Sequence, residues 1–364
     1  MATSRSSFHF CIFFCYAILV NIPSTCFGDD HVALFVFGDS LFDPGNNNYI
    51  NTTARANFWP YGETFFKYPT GRFSDGRLIP DFIAEYAKLP LIPPYKQPGN
   101  HHFINGVNFA SAGAGVLVET NQGFVIDLKT QLSYFKHVER LLREKLGDKE
   151  ANKLLSRAVY LFSIGANDYG NPFLTNSTLF QSYSQQEYVE MVIGNLTAVI
   201  KEIYKEGGRK FGFSSLSPLG CLPRLRALNP GNSSGCVEEL NDLVKLHNYA
   251  VSQVLQKLEK QLKGFIYSNF DSYTSSSERT DNPSRYGFKE GKSACCGWGP
   301  YRGINSCGGK RGMEEYLLCH NPSEYVFFDS SHRSEMFNQQ LAKLMWSGTP
   351  NTTWPYNLKA LFEV

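Results

Sequence analysis

Residues 31–48 read HVALFVFGDSLFDPGNNN. Residues 31–37 are rich in Val, Phe and Leu, and they stop abruptly at Gly38-Asp39-Ser40, where turn formers take over. The stretch therefore reads as a strand that ends in a turn. Four later runs end in the same way: Phe103–Phe109, Ala158–Ile164, Lys210–Leu216 and Gly264–Phe270. Between these runs, Leu78–Leu89, Leu128–Leu146, Tyr188–Tyr204 and Val237–Leu262 repeat apolar residues at intervals of three and four, the period of a helix. Strands alternating with helices predict right-handed βαβ units and an α/β fold whose parallel sheet is covered on both faces. Such sheets hold ligands at the carboxyl ends of their strands, where Ser40 stands. Taken alone, Gly-Asp-Ser is ordinary turn chemistry and assigns Ser40 no role.

The chain opens differently. In the first 28 residues Arg5 is the only charged side chain, residues 10–20 are an apolar run, and Cys26 and Gly28 place small residues ahead of a cleavage point. This is the layout of a secretory signal peptide, too short to span a bilayer. Cleavage after Gly28 leaves 336 of the 364 residues, read as a single domain over 29–364 with no linker or repeat. No later stretch is apolar for long enough to cross a membrane. Basic and acidic residues nearly balance, 35 against 33, without a basic patch or charge block, so a nucleic-acid partner is not expected.

Six cysteines follow residue 28: Cys221, Cys236, Cys295, Cys296, Cys307 and Cys319. An even number in a secreted chain suggests disulfides. Cys221 and Cys236 flank a Pro/Gly/Asn-rich loop and are expected to pair. The other four fall within 25 residues and are expected to pair among themselves, tying an irregular excursion near 272–325. A rival reading joins those four and His320 in a metal site, but no CxxC spacing supports it. Sequons at Asn51, Asn176, Asn195, Asn232 and Asn351 suggest N-glycans on an extracellular surface.

A nucleophilic serine needs a base, and the base needs an orienting group. Seven histidines follow residue 28, and only His332 follows a turn, Asp329-Ser330-Ser331, between an apolar run (Tyr325–Phe328) and a helical pattern containing Met336, Phe337, Leu341, Leu344 and Met345. Asp329, three residues before it, could hold its Nδ1. Two other strand ends offer donors to an oxyanion: residues 108–115, NFASAGAG, and residues 165–168, GAND, with the amide of Asn167. A decoy is set aside: residues 231–235, GNSSG, fit the GxSxG elbow, but they follow Pro230, overlap a sequon and adjoin Cys236, as a surface loop would.

Four blocks thus occur in order, each at a predicted strand end: GDS at 38–40, NFASAGAG at 108–115, GAND at 165–168 and DSSH at 329–332. The pattern resembles the GDSL branch of the SGNH hydrolases, in particular the plant secreted GDSL esterase/lipases, over nearly all of residues 29–364. GRFSDGR at 71–77, SPLGCLPR at 217–224 and ACCG at 294–297 are similar too, and SGTPNTTWPYNLKALF at 347–362 looks like the pathogen-responsive lipase subgroup. The resemblance implies a three-layer α/β/α sandwich, flavodoxin-like, with a central parallel sheet. It implies a serine esterase without cofactor or metal, acting on a small-molecule or lipid ester. Ser40 would be the nucleophile, His332 the base and Asp329 its orienting acid. Ser40 N–H, Asn167 and a glycine of the second block would bind the oxyanion. Gly113 and Gly115 both stand in that block, and Gly115 is taken as the donor. Alternatives are an acyltransferase with the same triad and a non-catalytic secreted binding protein. With no evident lid, short to medium acyl esters are expected. One departure stands out: where plant members often have Pro-Thr after the histidine, this chain has Arg333-Ser334. Ser334 could still cap the following helix, while Arg333 puts a cation beside the base.

Overall fold

The computed structural model describes residues 32–99, 102–175, 178, 182–228, 235–304, 307–309 and 315–363. The proposed signal peptide, Asn176 and Asn232 lie outside the described residues.

Five strands run parallel: β1 (Leu34–Gly38), β2 (Gly106–Asn108), β3 (Val159–Ser163), β4 (Lys210–Ser214) and β5 (Ile266–Phe270). Their spatial order is β2-β1-β3-β4-β5, the doubly wound order in which a cleft opens at the carboxyl ends where the winding reverses, between β1 and β3. A sixth strand, Thr353–Pro355, joins the free edge of β5 antiparallel. Its sequence carries no strand alternation, and Pro355 fits there because an edge position demands fewer ladder bonds.

Alternation along each strand sorts the core into two faces. On one face, register brings Phe35 beside Tyr160 and Phe211, and Phe37 beside Phe162 and Phe213. The rings stack across three strands, with centroids 5.5 and 5.4 Å apart in the first row and 4.8 and 5.1 Å in the second. Each buried ring contributes about 1.5–3 kcal/mol of transfer free energy, and stacking adds roughly 0.5–1.5 kcal/mol per pair. Helices Leu128–Leu146, Gln185–Lys205 and Glu238–Gln261 cover this face. Leu34, Val36, Val159 and Leu161 point to the opposite face, which Ile79–Tyr86, Glu335–Ser347 and Leu358–Glu363 cover. The result is the expected three-layer α/β architecture.

The stretch 272–325 holds more regular structure than its sequence suggests. Ser272–Asp281 is a helix whose N-cap, Asp271, accepts the Thr274 N–H at 2.9 Å. It buries Ser272, Ser275, Ser276, Arg279 and Thr280 rather than an apolar stripe, so hydrophobic periodicity misses it. Glu290–Ala294 then pairs in parallel with Tyr325–Phe327. Cysteine pairs are Cys221–Cys236, Cys295–Cys319 and Cys296–Cys307. With their sulfurs joined, the four later cysteines offer no thiolate to a metal. Among the described residues, no helix is long and apolar enough to cross a membrane.

Candidate active site

The turn after β1 is built on close approach. Gly38 lies against the Ser163 carbonyl of β3, with no room for a Cβ. Its N–H donates to Gln131 Oε1 and its carbonyl accepts from Gln131 Nε2, both at 2.9 Å, so one buried side chain from the Leu128–Leu146 helix fixes the strand end. Asp39 is buried, and its carboxylate accepts the Leu41 N–H at 3.0 Å. Burial pushes its carboxyl up to about 7. Ser40 emerges from this turn half-buried.

The polar residues that follow do more than close a local loop. Asp43 accepts N–H groups of Gly45 (2.8 Å) and Asn46 (2.6 Å), and also that of Ala112 (3.0 Å). Asn46 donates to the carbonyls of Asn108 and Ala110. Asn47 donates to Ala54 and Ala112 and accepts the Ser111 hydroxyl at 2.6 Å. Asp43, Asn46 and Asn47 are buried, and they tie the first block to the second, more than 60 residues away.

His332 meets Ser40 from the other side, its Nε2 2.8 Å from Ser40 Oγ. Its Nδ1 lies 2.8 Å from both carboxylate oxygens of Asp329. Asp329 also accepts the N–H groups of Ser331 (2.8 Å) and His332 (2.7 Å) and the Tyr61 hydroxyl (2.6 Å). Burial alone would raise its carboxyl; the His332 ring, Tyr61 and the Ser331 N–H outweigh that and hold it well below the usual carboxylate range. Phe73 packs its ring 4.6 Å from the imidazole. The helix entry works without proline: Ser334 is the N-cap, accepting the Phe337 N–H at 3.3 Å, and its hydroxyl donates to the Tyr325 carbonyl.

A cavity of about 620 Å³ opens onto this pair. Asn167, in the first turn of the Ala166–Leu174 helix, lines it and donates one amide N–H to the Ala114 carbonyl at 2.9 Å. Asp168 behind it accepts from Val116 N–H, Leu117 N–H and the Thr120 hydroxyl, joining the third block to the second. Of the two glycines, Gly113 lines the cavity, whereas Gly115 does not. Gly115 is buried against Asp168 and Thr120, where a Cβ would collide, because Asp168 draws that segment in. The choice of Gly115 is corrected on this point.

Sequence reasoning missed Tyr61 and Gln131. Tyr61 lies 268 residues from Asp329 and belongs to none of the four blocks, so nothing in the sequence points to it. Gln131 is a polar residue on the inward stripe of an apolar helix pattern, a weak signal that was legible. Three sequon asparagines, Asn51, Asn195 and Asn351, are exposed.

The similarity to known proteins spans all four blocks. The family model described as GDSL-like Lipase/Acylhydrolase matches residues 34–345. The chain is 55% identical over 363 residues to GDSL esterase/lipase 1 of Arabidopsis thaliana, covering 97% of each chain. It is 54% identical to GDSL esterase/lipase 2 of the same plant, covering 100% of both. Identity to a GDSL lipase of Tanacetum cinerariifolium is 52%, over 95% of this chain and 92% of the relative.

Proposed function

The chain belongs to the GDSL-like lipase/acylhydrolase family and is a carboxylic ester hydrolase, and from that premise we propose that Ser40, His332 and Asp329 act as its catalytic triad. The observation that carries this reading is the relay at 2.8 Å from Ser40 Oγ to His332 Nε2 and from His332 Nδ1 to Asp329. Asp329, kept ionised, holds the proton on Nδ1 and leaves the Nε2 lone pair facing the serine. As Oγ attacks the ester carbonyl, its proton passes to Nε2. The tetrahedral oxyanion is bound by the N–H of Ser40, the N–H of Gly113 and the free N–H of the Asn167 amide. The imidazolium then protonates the departing alcohol, leaving acyl-Ser40, which a water activated by the same histidine hydrolyses.

Leucines 41, 174, 219, 222 and 225 line the cavity beside this apparatus and suit an acyl chain. At about 620 Å³ the cavity is of small-molecule size, and short to medium acyl groups are proposed because the sequence holds no evident lid. Purified wild type and Ser40→Ala, assayed on p-nitrophenyl esters of two to sixteen carbons, test both parts. The reading predicts turnover that declines at the longest chains and vanishes in Ser40→Ala. Wild-type-like turnover by Ser40→Ala would overturn the mechanism, and a peak at sixteen carbons would overturn the acyl-length assignment.

Secretion after cleavage at Gly28, with N-glycans on the sequons, completes the proposal; the three disulfides support an oxidising compartment. A role in plant defence or lipid metabolism rests on the likeness of residues 347–362 to one subgroup.

A further inference from the structure

Arg333, which takes the position after the proposed base, is only 5% exposed, yet it lines the cavity. Its guanidinium has no carboxylate in ion-pair contact among the described residues. It bonds instead to three hydroxyls, those of Ser217, Ser272 (3.2 Å) and Ser276 (3.4 Å), all through one nitrogen, Nη2. Phe337 packs 5.2 Å below the guanidinium carbon. Nη1 and Nε make no hydrogen bond among the described residues. The small buried serines of the Ser272–Asp281 helix thus hold a desolvated cation by neutral contacts, an arrangement that leaves its charge unmatched.

A second cation lines the same cavity: Arg224, an exposed residue whose side chain makes no hydrogen bond or ion pair among the described residues. The acids on the cavity wall are Asp39 and Asp329. Asp329 is felt electrostatically by Arg224, but its hydrogen bonds are committed to His332, Tyr61 and the Ser331 N–H. Asp39 faces Arg333 electrostatically, but burial opposes its ionisation. Two cations therefore face one fully committed carboxylate and one reluctant one.

Resting on the esterase reading above, we propose that Arg333 and Arg224 form a carboxylate subsite, so that the preferred substrates are esters that also carry a carboxylate group. A guanidinium fork matches a carboxylate in shape as well as charge. Ser217, itself on the cavity wall, and the buried Ser272 and Ser276 fix the Arg333 guanidinium beside the cavity, and the apolar wall takes the rest of the substrate.

Two matched pairs test this with the charge on either side of the scissile bond: monomethyl against dimethyl adipate, and 4-acetoxybenzoate against its methyl ester. The quantity read is the ratio of kcat/KM for the charged over the neutral member. In wild type the ratio exceeds one for at least one pair. In Arg333→Met it falls about 10–100-fold, as expected for loss of a charge-assisted hydrogen bond. Arg224→Gln, at an exposed position, lowers it about 3–10-fold and decides the matter if Arg333→Met does not fold. A ratio at or below one for both pairs, or one unchanged in both variants, overturns the subsite. Fluorophosphonate labelling of wild-type Ser40 is followed in parallel: an unlabelled Ser40 defeats the esterase reading itself, whereas a labelled Ser40 with no charge preference defeats only the subsite.

Discussion

Two turns meet at the Ser40–His332 contact, and their catalytic groups are positioned differently. The turn carrying Ser40 is anchored from afar. Gln131 grips Gly38, and Asp43, Asn46 and Asn47 send buried side chains across to residues 108–112. In the turn carrying His332 the acid and base are joined locally, with Asp329 accepting the N–H groups of Ser331 and His332 as well as the His332 ring. From distant parts of the chain the turn receives the Tyr61 hydroxyl on Asp329, the Arg224 N–H on the Ser330 carbonyl (2.9 Å) and the Ser74 hydroxyl on the Arg333 carbonyl (3.0 Å). The nucleophile's position thus depends on side chains that bridge separate blocks, while acid and base are joined to each other within one short turn.

Substitutions can break either side of this contrast. The largest expected effect is that of Ser40→Ala, with kcat on p-nitrophenyl acetate falling about 10⁶-fold, because the covalent route is gone. Asp329→Asn follows, at about 10⁴-fold: the turn can still close, but the amide no longer holds the proton on Nδ1. Asn167→Ala removes one oxyanion donor and lowers kcat about 10²–10³-fold. Asn47→Ala attacks the remote anchoring. It leaves the Ser111 hydroxyl and the carbonyls of Ala54 and Ala112 without their partner, and urea unfolding should show a loss of about 2–4 kcal/mol.

The smallest predicted effect concerns pH. Burial raises Asp39 from an ordinary value near 4 to about 7 in the folded state. Between those values the folded chain holds a proton that the unfolded chain has released. Stability from this group is therefore full below about pH 4 and is lost as pH rises toward 7. Urea midpoints at pH 5 and 7.5 should differ less in Asp39→Asn than in wild type; an equal difference would remove Asp39 from the account.

The same contrast explains what the sequence could say. Each of the five parallel strands lies within, or at most one residue beyond, a run ending in turn formers, because period and punctuation are local. Asp329 and His332 were legible for the same reason, since three residues separate them and one turn holds them. Asp43, Asn46 and Asn47 looked like local turn residues, and their true partners lie in another block, which spacing does not reveal. Tyr61 gave no signal for the same reason. Gly113 and Gly115 could not be separated because the difference is made by Asp168, which pulls Gly115 behind the cavity wall. The Ser272–Asp281 helix stayed hidden because its buried face is polar.

The central claim is that Ser40 becomes a nucleophile through His332. Its most direct test is labelling of the purified chain with a fluorophosphonate, followed by peptide mass spectrometry, in wild type and in His332→Ala. A single adduct on Ser40 is expected, forming at least 10³-fold more slowly in His332→Ala. Adduct on another serine, or labelling of Ser40 at an undiminished rate without His332, would contradict it.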